Sequence, residues 1–450
     1  MRIRFVESTR YLATGELLKT RRLLYPALTF PLLAALTPSD ISVSVAHELL
    51  EEVSFDDPAD LVGLTSITNN IFRTYEIADE FRRRGVPVVM GGFHVSAEPA
   101  EALEHADTVF VGEAEDTWPQ YLRDFRSGQP RRVYEAGRPP SLENLPVPRF
   151  SVLNPSHYYG CGTRGPLQRL VRPIIPVQTA RGCPNACAFC DIARFHGSTY
   201  RVRPVVSVID EIRAQRARTV CFVDDNIMAD AVRARALFLA LVPLRLTWFG
   251  QGTLAAAEDP ELLALARRSG CQMMLVGIES IYRESLASVG KDQINRIDQY
   301  ERWLAAWRHA GIDVNASMTF GFDGDPPGVF RDTYEFLVRN RVPYAGWQPL
   351  RPSPGTPFYR RLKAEGRLHE DRWWLNRDAV ARVYDLKFTS SRIGRREFAE
   401  GCYDYYRRLY SAGSIVRRLA LRPRQRILQQ LLITLACRRR ISPYAFISEH

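Results

Sequence analysis

No apolar run in the 450 residues approaches the roughly 18 that a membrane-spanning helix needs. Stretches such as Leu431–Cys437 fall far short, so a membrane-embedded protein is not expected. The chain has no internal repeat and no low-complexity tract, which argues against solenoid and propeller architectures. Met1-Arg-Ile-Arg-Phe-Val opens as a strand and lacks the charged then apolar regions of a secretory leader. Cysteine is scarce, with eight residues of which five are scattered. A disulfide framework is therefore not expected, and reduced thiols in a cytoplasmic protein are.

The other three cysteines are clustered. Cys183, Cys187 and Cys190 lie in Arg181-Gly-Cys-Pro-Asn-Ala-Cys-Ala-Phe-Cys190, a C-x3-C-x2-C run. Three thiolates so close can hold three irons of a [4Fe–4S] cluster and leave the fourth without a protein ligand. An iron left open in this way can chelate a small molecule. A structural zinc site wants four ligands. His196 would have to be the fourth, giving C-x3-C-x2-C-x5-H, which is not a usual zinc spacing. Ferredoxin-type clusters use four cysteines. Phe189, just before the last cysteine, fits a cluster loop shielded from water.

A hydrophobic share of 46% and a charged share of 25% are those of a soluble globular chain, long enough for two or three domains. The formal charge of +11 is uneven, since residues 391–450 carry thirteen Arg against four acids. Such a tail can meet anionic lipid, nucleic acid or a phosphorylated substrate. Apolar residues between the arginines suggest amphipathic helices, which more often pack on the body of a protein than lie on a membrane. No helix-turn-helix or RNA-binding pattern is present, and no nucleic-acid partner is expected.

Strand and helix signals alternate over residues 1–140, which implies a parallel sheet. The loops Ser66–Asn70, Gly91–Ser96 and Gly112–Glu115 each follow a strand, where such sheets gather ligands. Prolines at 130, 139, 140, 146, 148, 155 and 166 preclude long elements up to residue 168. Alternation resumes over 169–355 with six strands. Asp224, Asp225, Gln251, Glu279 and Ser317 lie at or near their carboxyl ends, where a β/α barrel builds its site. Taken singly, each is as well explained by a helix cap or a buried polar network. Residues 356–450 read as mainly helical, with an aromatic stripe more typical of core than of a cofactor wall.

The C-x3-C-x2-C loop leaving the first strand of a six-unit barrel resembles the radical S-adenosylmethionine (SAM) superfamily. Residues 60–66, 75–79, Gly91-Gly-Phe-His94 and Val111-Gly-Glu-Ala-Glu115 resemble the cobalamin-binding domain of its cobalamin-associated class. Phe222-Val-Asp-Asp-Asn226, Gly277-Ile-Glu-Ser280 and Pro354–Tyr359 resemble barrel motifs of that class, and the C-terminal block resembles the extension of hopanoid C-methylases. The resemblance implies an α/β chain with a Rossmann-like cobalamin-binding domain at 1–140, a linker at 141–168, a partial (β/α)6 barrel at 169–355 and a helical extension at 356–450. It also implies three cofactors. Cys183, Cys187 and Cys190 would hold a [4Fe–4S] cluster. Asp224, Asp225, Gln251, Glu279 and Ser317 would meet SAM. Ser66, Gly91, Gly92, Phe93, His94, Gly112 and Glu113 would meet cobalamin. The D-x-H-x-x-G signature that supplies a histidine to cobalt is absent. His94 is a candidate replacement, though a structural role suits it better. The implied activity is methylation of an unactivated carbon through a 5′-deoxyadenosyl radical and methylcobalamin. A cyclase, rearrangement or oxidative enzyme of tetrapyrrole or natural-product biosynthesis is the alternative. The implied partners are a small-molecule substrate, such as a lipid or natural product, and an electron donor such as flavodoxin or ferredoxin. The basic tail would add peripheral membrane contact.

Overall fold

A computed structural model describes residues 1–159 and 173–419. Cys161, Leu431–Cys437 and the rest of the arginine-rich tail from residue 420 onward lie outside the described residues.

The first sheet contains β1 (Arg2–Glu7), β2 (Ser42–His47), β3 (Leu61–Thr65), β4 (Val88–Gly91), β5 (Thr108–Val111) and β6 (Val133–Glu135). All neighbours are parallel, in the order β2-β1-β3-β4-β5-β6. The chain runs from β1 out to β2 and then back across to β3. The order therefore reverses between β1 and β3, where the loops leaving the carboxyl ends diverge and open a crevice. Helices Ile71–Arg83, Pro99–His105 and Thr117–Arg126 flank this sheet. The central strands are apolar almost throughout, as strands covered on both faces must be. Two strands went unread in the sequence. β2 sits at the sheet edge with its serines alternating, and β6 has only three residues.

The second sheet contains β7 (Ile174–Val177), β10 (Thr219–Phe222), β11 (Thr247–Gly252), β12 (Cys271–Glu279), β13 (Asp313–Phe320) and β14 (Tyr344–Pro349). It too is all parallel, but its strands follow one another without reversal, β7-β10-β11-β12-β13-β14, and β7 and β14 form its open edges. This is the partial (β/α)6 barrel. Side-chain alternation sends Val314, Ala316, Met318 and Phe320 of β13 into the core and turns Asn315, Ser317 and Thr319 to the other face. A short antiparallel ladder, β8 (Ala180–Arg181) with β9 (Arg201–Val202), closes off the cysteine loop.

The C-terminal helices join the two bodies. Trp373, Trp374 and Val380 pack into the core on one face of the first sheet, while Phe398, Tyr405 and Leu409 pack into the barrel core. The aromatic stripe is therefore core. The carboxyl edges of the two sheets face each other. Arg194, from the helix Asp191–Phe195 just past Cys190, donates to the Phe93 carbonyl at 2.5 Å, and the Phe93 and Phe195 rings lie 4.4 Å apart.

Candidate functional site

The cysteine loop is anchored at both ends and in its middle. Beyond β7, the Thr179 backbone NH and hydroxyl both donate to Asp224, and the Gly182 NH donates to Asp225 at 2.9 Å. Gly182 has φ +85°, and a Cβ there would meet the Thr199 carbonyl at 2.2 Å, so the turn into Cys183 requires glycine. Mid-loop, the Ala188 NH donates to the Val289 carbonyl and its own carbonyl accepts from the Phe358 NH. Cys187 is buried and the other two thiols are partly exposed. Burial raises all three above the ordinary thiol value, Cys190 to about 11. Ionising them at neutral pH is work for a bound metal. Among the described residues no three His, Cys, Asp or Glu side chains converge on one ion. His196, the candidate fourth zinc ligand, instead binds Glu113 through Nδ1 at 2.8 Å.

Asp224 and Asp225 thus brace the cysteine loop from the end of β10. Asp224 is fully buried, and burial lifts its carboxyl to about 6. Gln251 is exposed at the end of β11, and Ser317 lies between Gly277 and Gly346 on the neighbouring strands. Glu279 ends β12 in the left-handed region, at φ +62°, where the register with β13 shifts. A bulky residue held there signals a constraint imposed by its surroundings. Its carboxylate is held by Lys291 Nζ at 2.6 Å and Thr319 Oγ1 at 2.7 Å. Lys291 lies 5.9 Å from the Phe189 ring centre inside the cysteine loop. Burial opposes its charge, but Glu279 and the Cys187 thiol hold its pKa above the ordinary lysine value. Lys291, Thr319 and Thr179 were missed in the sequence, since none belongs to a local pattern and each is brought in by the fold.

The facing edge of the first sheet carries the other group of candidates. A cavity of about 250 Å3 is lined by Phe30 below and Gly91, Gly92, Phe93, Gly112 and Glu113 at the strand ends; Arg181 and His196 close it from the barrel side. That volume takes one arm of a larger ligand rather than a whole cofactor. Gly92 has φ +103°, and a Cβ there would stand 2.6 Å from the Ser66 carbonyl. Ser66 Oγ is buried with no hydrogen-bond partner among the described residues. Gly92 is thus required for the close packing of its own backbone on Ser66, and the orphaned hydroxyl is the feature that suits a ligand at this edge.

Two candidates turn elsewhere. His94 is fully buried, with Nδ1 at 3.2 Å from Thr68 Oγ1 and Nε2 at 3.1 Å from Glu101, against the rings of Tyr75 and Trp374. Burial pulls its pKa below the ordinary value. Glu113 is gripped by Arg181 at 2.5 Å, by Arg201 and by His196. Burial disfavours its charge, but the His196 hydrogen bond and the two guanidiniums win and hold it at about 2. It clamps the first sheet to the barrel.

The three-thiol loop lies at the carboxyl ends of the barrel strands, and the helix that follows it meets the strand-end loop of the Rossmann-type sheet at Phe93. Residues 177–337 match the model of the radical SAM superfamily, and residues 34–122 match that of the B12 binding domain. The bacteriochlorophyllide d C-12(1)-methyltransferase of Chlorobaculum tepidum is 30% identical over 371 residues, 81% of this chain and 77% of that one. The C-8(2)-methyltransferase of the same organism is 28% identical, over 76% and 77%. Among solved structures, TsrM from Kitasatospora setae, with cobalamin and a [4Fe–4S] cluster bound, superposes with TM-score 0.62 at 20% identity, over 81% of this chain and 78% of that one. The chain belongs to the cobalamin-dependent radical SAM methyltransferases, and its cofactors are a [4Fe–4S] cluster, SAM and cobalamin.

Proposed function

We propose that this enzyme methylates an unactivated carbon of a chlorin-type small molecule. One observation supports the methylation reading: the helix that follows the cysteine loop meets the strand end bearing Gly92 and Phe93, and Arg181 and His196, which flank that loop, line the same cavity as Gly91, Gly92 and Gly112. The two relatives that act on bacteriochlorophyllide d support the substrate class. Bound here, the cluster with SAM supplies a radical able to take hydrogen from an unactivated carbon, and cobalamin supplies the methyl group.

The chain's own residues do the placing. Cys183, Cys187 and Cys190 hold the cluster. Asp224 and Asp225 fix the loop that presents them. Lys291, Glu279 and Thr319 form a rigid polar wall beside them, and with Gln251 and Ser317 they are the groups that meet SAM. Ser66, Gly91, Gly92, Phe93 and Gly112 form the cobalamin edge. Phe93 and Phe195 pack where the two edges touch and exclude water from the gap.

No helix among the described residues is long and apolar enough to cross a membrane. We infer a cytoplasmic enzyme reduced by a flavodoxin- or ferredoxin-type donor, with the arginine-rich tail resting on anionic membrane surfaces. Binding of full-length protein, but not of a chain ending at 419, to vesicles rich in anionic lipid tests the last point.

The test of the reaction is product mass. Anaerobically reconstituted enzyme should add one CH2 to a bacteriochlorophyllide substrate and form both 5′-deoxyadenosine and S-adenosylhomocysteine. Deoxyadenosine without the homocysteine product would reject methyl transfer.

A further inference from the structure

One face of the barrel sheet is left unpacked. In the strand register, Phe249 lies beside Met273 and Leu275 beside Asn315. One row nearer the carboxyl ends, Ser317 lies beside Gly346. Neighbours in a parallel ladder point the same way, so these residues share the inner face of β11–β14. The opposite face carries Trp248, Met274 and Ala316, all fully buried in the barrel core.

The inner face differs from it in every respect. Phe249, Met273, Leu275 and Asn315 are each partly exposed, and Gly346 is exposed. The three apolar side chains belong to no hydrophobic cluster of described residues. The Asn315 carboxamide forms no hydrogen bond with a described residue. A Cβ at Gly346 would meet nothing within 4 Å. Between Asp313 at the start of β13 and the Lys291–Glu279 pair at the mouth, the face carries no charge. Large apolar side chains left open to water, beside a carboxamide with its donors and acceptor unused, are suited to a ligand that covers both. Four strands and three rows of side chains make the face roughly 14 Å wide and 13 Å high, the size of a flat macrocycle.

We propose that this face is the substrate wall of the enzyme. Phe249, Met273 and Leu275 lie against the apolar plane of the molecule to be methylated, Asn315 binds an uncharged oxygen at its rim, and Gly346 leaves the room that admits it. The occupant is the substrate because the wall is continuous with the mouth. Ser317 beside Gly346, and Gln251 beside Leu275, are groups assigned above to SAM, and Glu279 ends the strand that carries Met273 and Leu275. An uncharged wall takes the neutral body of the substrate and leaves any carboxylate outside. This assignment rests on the methyltransferase reading and specifies for it how a broad, carbonyl-bearing substrate is oriented.

The test uses full-length protein carrying its cluster and cobalamin, as wild type, Asn315→Leu and Gly346→Leu. The ligands are methyl pyropheophorbide a, an uncharged chlorin ketone, and its deoxo analogue, in which a methylene replaces the ring ketone. Binding is read by fluorescence, with iron content and cobalamin loading measured beside it. Wild type should bind the ketone about tenfold more tightly than the deoxo analogue. Asn315→Leu should bind both equally. Gly346→Leu should weaken both about tenfold. Iron and cobalamin should stay at wild-type levels; should Gly346→Leu lose either, the Asn315 comparison decides alone. Equal binding of the two chlorins by wild type, a ketone preference that survives Asn315→Leu, or a chlorin affinity untouched by Gly346→Leu overturns the proposal. A chlorin that binds in neither form rejects the chlorin substrate, and the wall is then judged by prodan, an uncharged aromatic ketone whose emission moves to the blue in apolar sites. A blue shift in wild type that Gly346→Leu diminishes supports the wall, and no shift, or one that persists in full, overturns it. Product mass reports separately on the reaction: bound chlorin that gains no CH2 rejects the methyltransferase reading, while the ketone preference still supports the wall.

Discussion

The two sheets are alike in size and strand direction, and they differ in one respect that decides how each makes a site. The first reverses its strand order between β1 and β3, so its ligand edge is a crevice lined by backbone, glycines and an orphaned hydroxyl. The second runs in order, and its strand ends curve together and bring acidic and basic side chains into contact, as Glu279, Lys291 and Thr319 show. A crevice of the first kind holds a large ligand by shape. A mouth of the second kind positions a small charged one through specific groups. The charged residues of the first sheet accordingly serve assembly: Glu113 ties it to the barrel, and Glu101 ties it to the C-terminal block through Arg372 and Trp374.

That division is broken most completely at the cysteines. Cys183, Cys187 and Cys190 all replaced by alanine should abolish the iron–sulfur absorbance and all deoxyadenosine formation, while cobalamin, held by the other sheet, still loads. Loss of cobalamin together with the cluster would mean that the two edges do not bind independently.

The next effect is at the clamp. Glu113 sits at about 2 against an ordinary value of 4.5, a difference worth about 3 kcal/mol. Because the folded value is the lower one, this stabilisation is complete above pH 4.5 and drains away as pH falls toward 2. Glu101, also held at about 2 despite burial by bonds from His94, Trp374, Arg372 and Tyr75, is lost in the same window. Urea melts of the apoprotein at pH 7 should show Glu113→Gln less stable by about 3 kcal/mol, and its stability should fall less steeply than wild type below pH 4.5. An unchanged acid slope would remove Glu113 from the interface.

Glu279 sharpens the contrast from the barrel side. Glu279→Gln keeps the shape but weakens the hold on Lys291, and turnover should fall roughly 10- to 100-fold with iron content intact. Iron lost in proportion to activity would make the residue a prop for the cysteine loop and nothing more.

How much was legible in the sequence follows the same division. The cysteine spacing, the strand ends bearing Asp224, Glu279 and Ser317, and the two glycine turns are local signals, and local signals can be read along a chain. The clamp role of Glu113 could not be read, because Arg181, His196 and Arg201 that engage it come from far along the chain; the structural role of His94 was legible, although its distant neighbour Trp374 was not. A sequence shows which loops end strands, while the fold decides whether a charge there is spent on a neighbour or kept for a ligand.

The smallest effect separates a residue kept for ligand from one spent on structure within the same edge. Ser66 Oγ has no partner, so Ser66→Ala should leave apoprotein stability unchanged or raise it by about 1 kcal/mol, while weakening cobalamin binding about tenfold. His94 has two partners and two ring neighbours, so His94→Asn should cost about 2 kcal/mol of stability and leave the cob(II)alamin paramagnetic resonance spectrum as it was. The two variants trade stability and affinity in opposite directions. If Ser66→Ala destabilises the apoprotein and spares cobalamin, or if His94→Asn removes nitrogen splitting from the cobalt spectrum, the crevice binds through a side chain to metal after all, and the contrast between the two sheets fails.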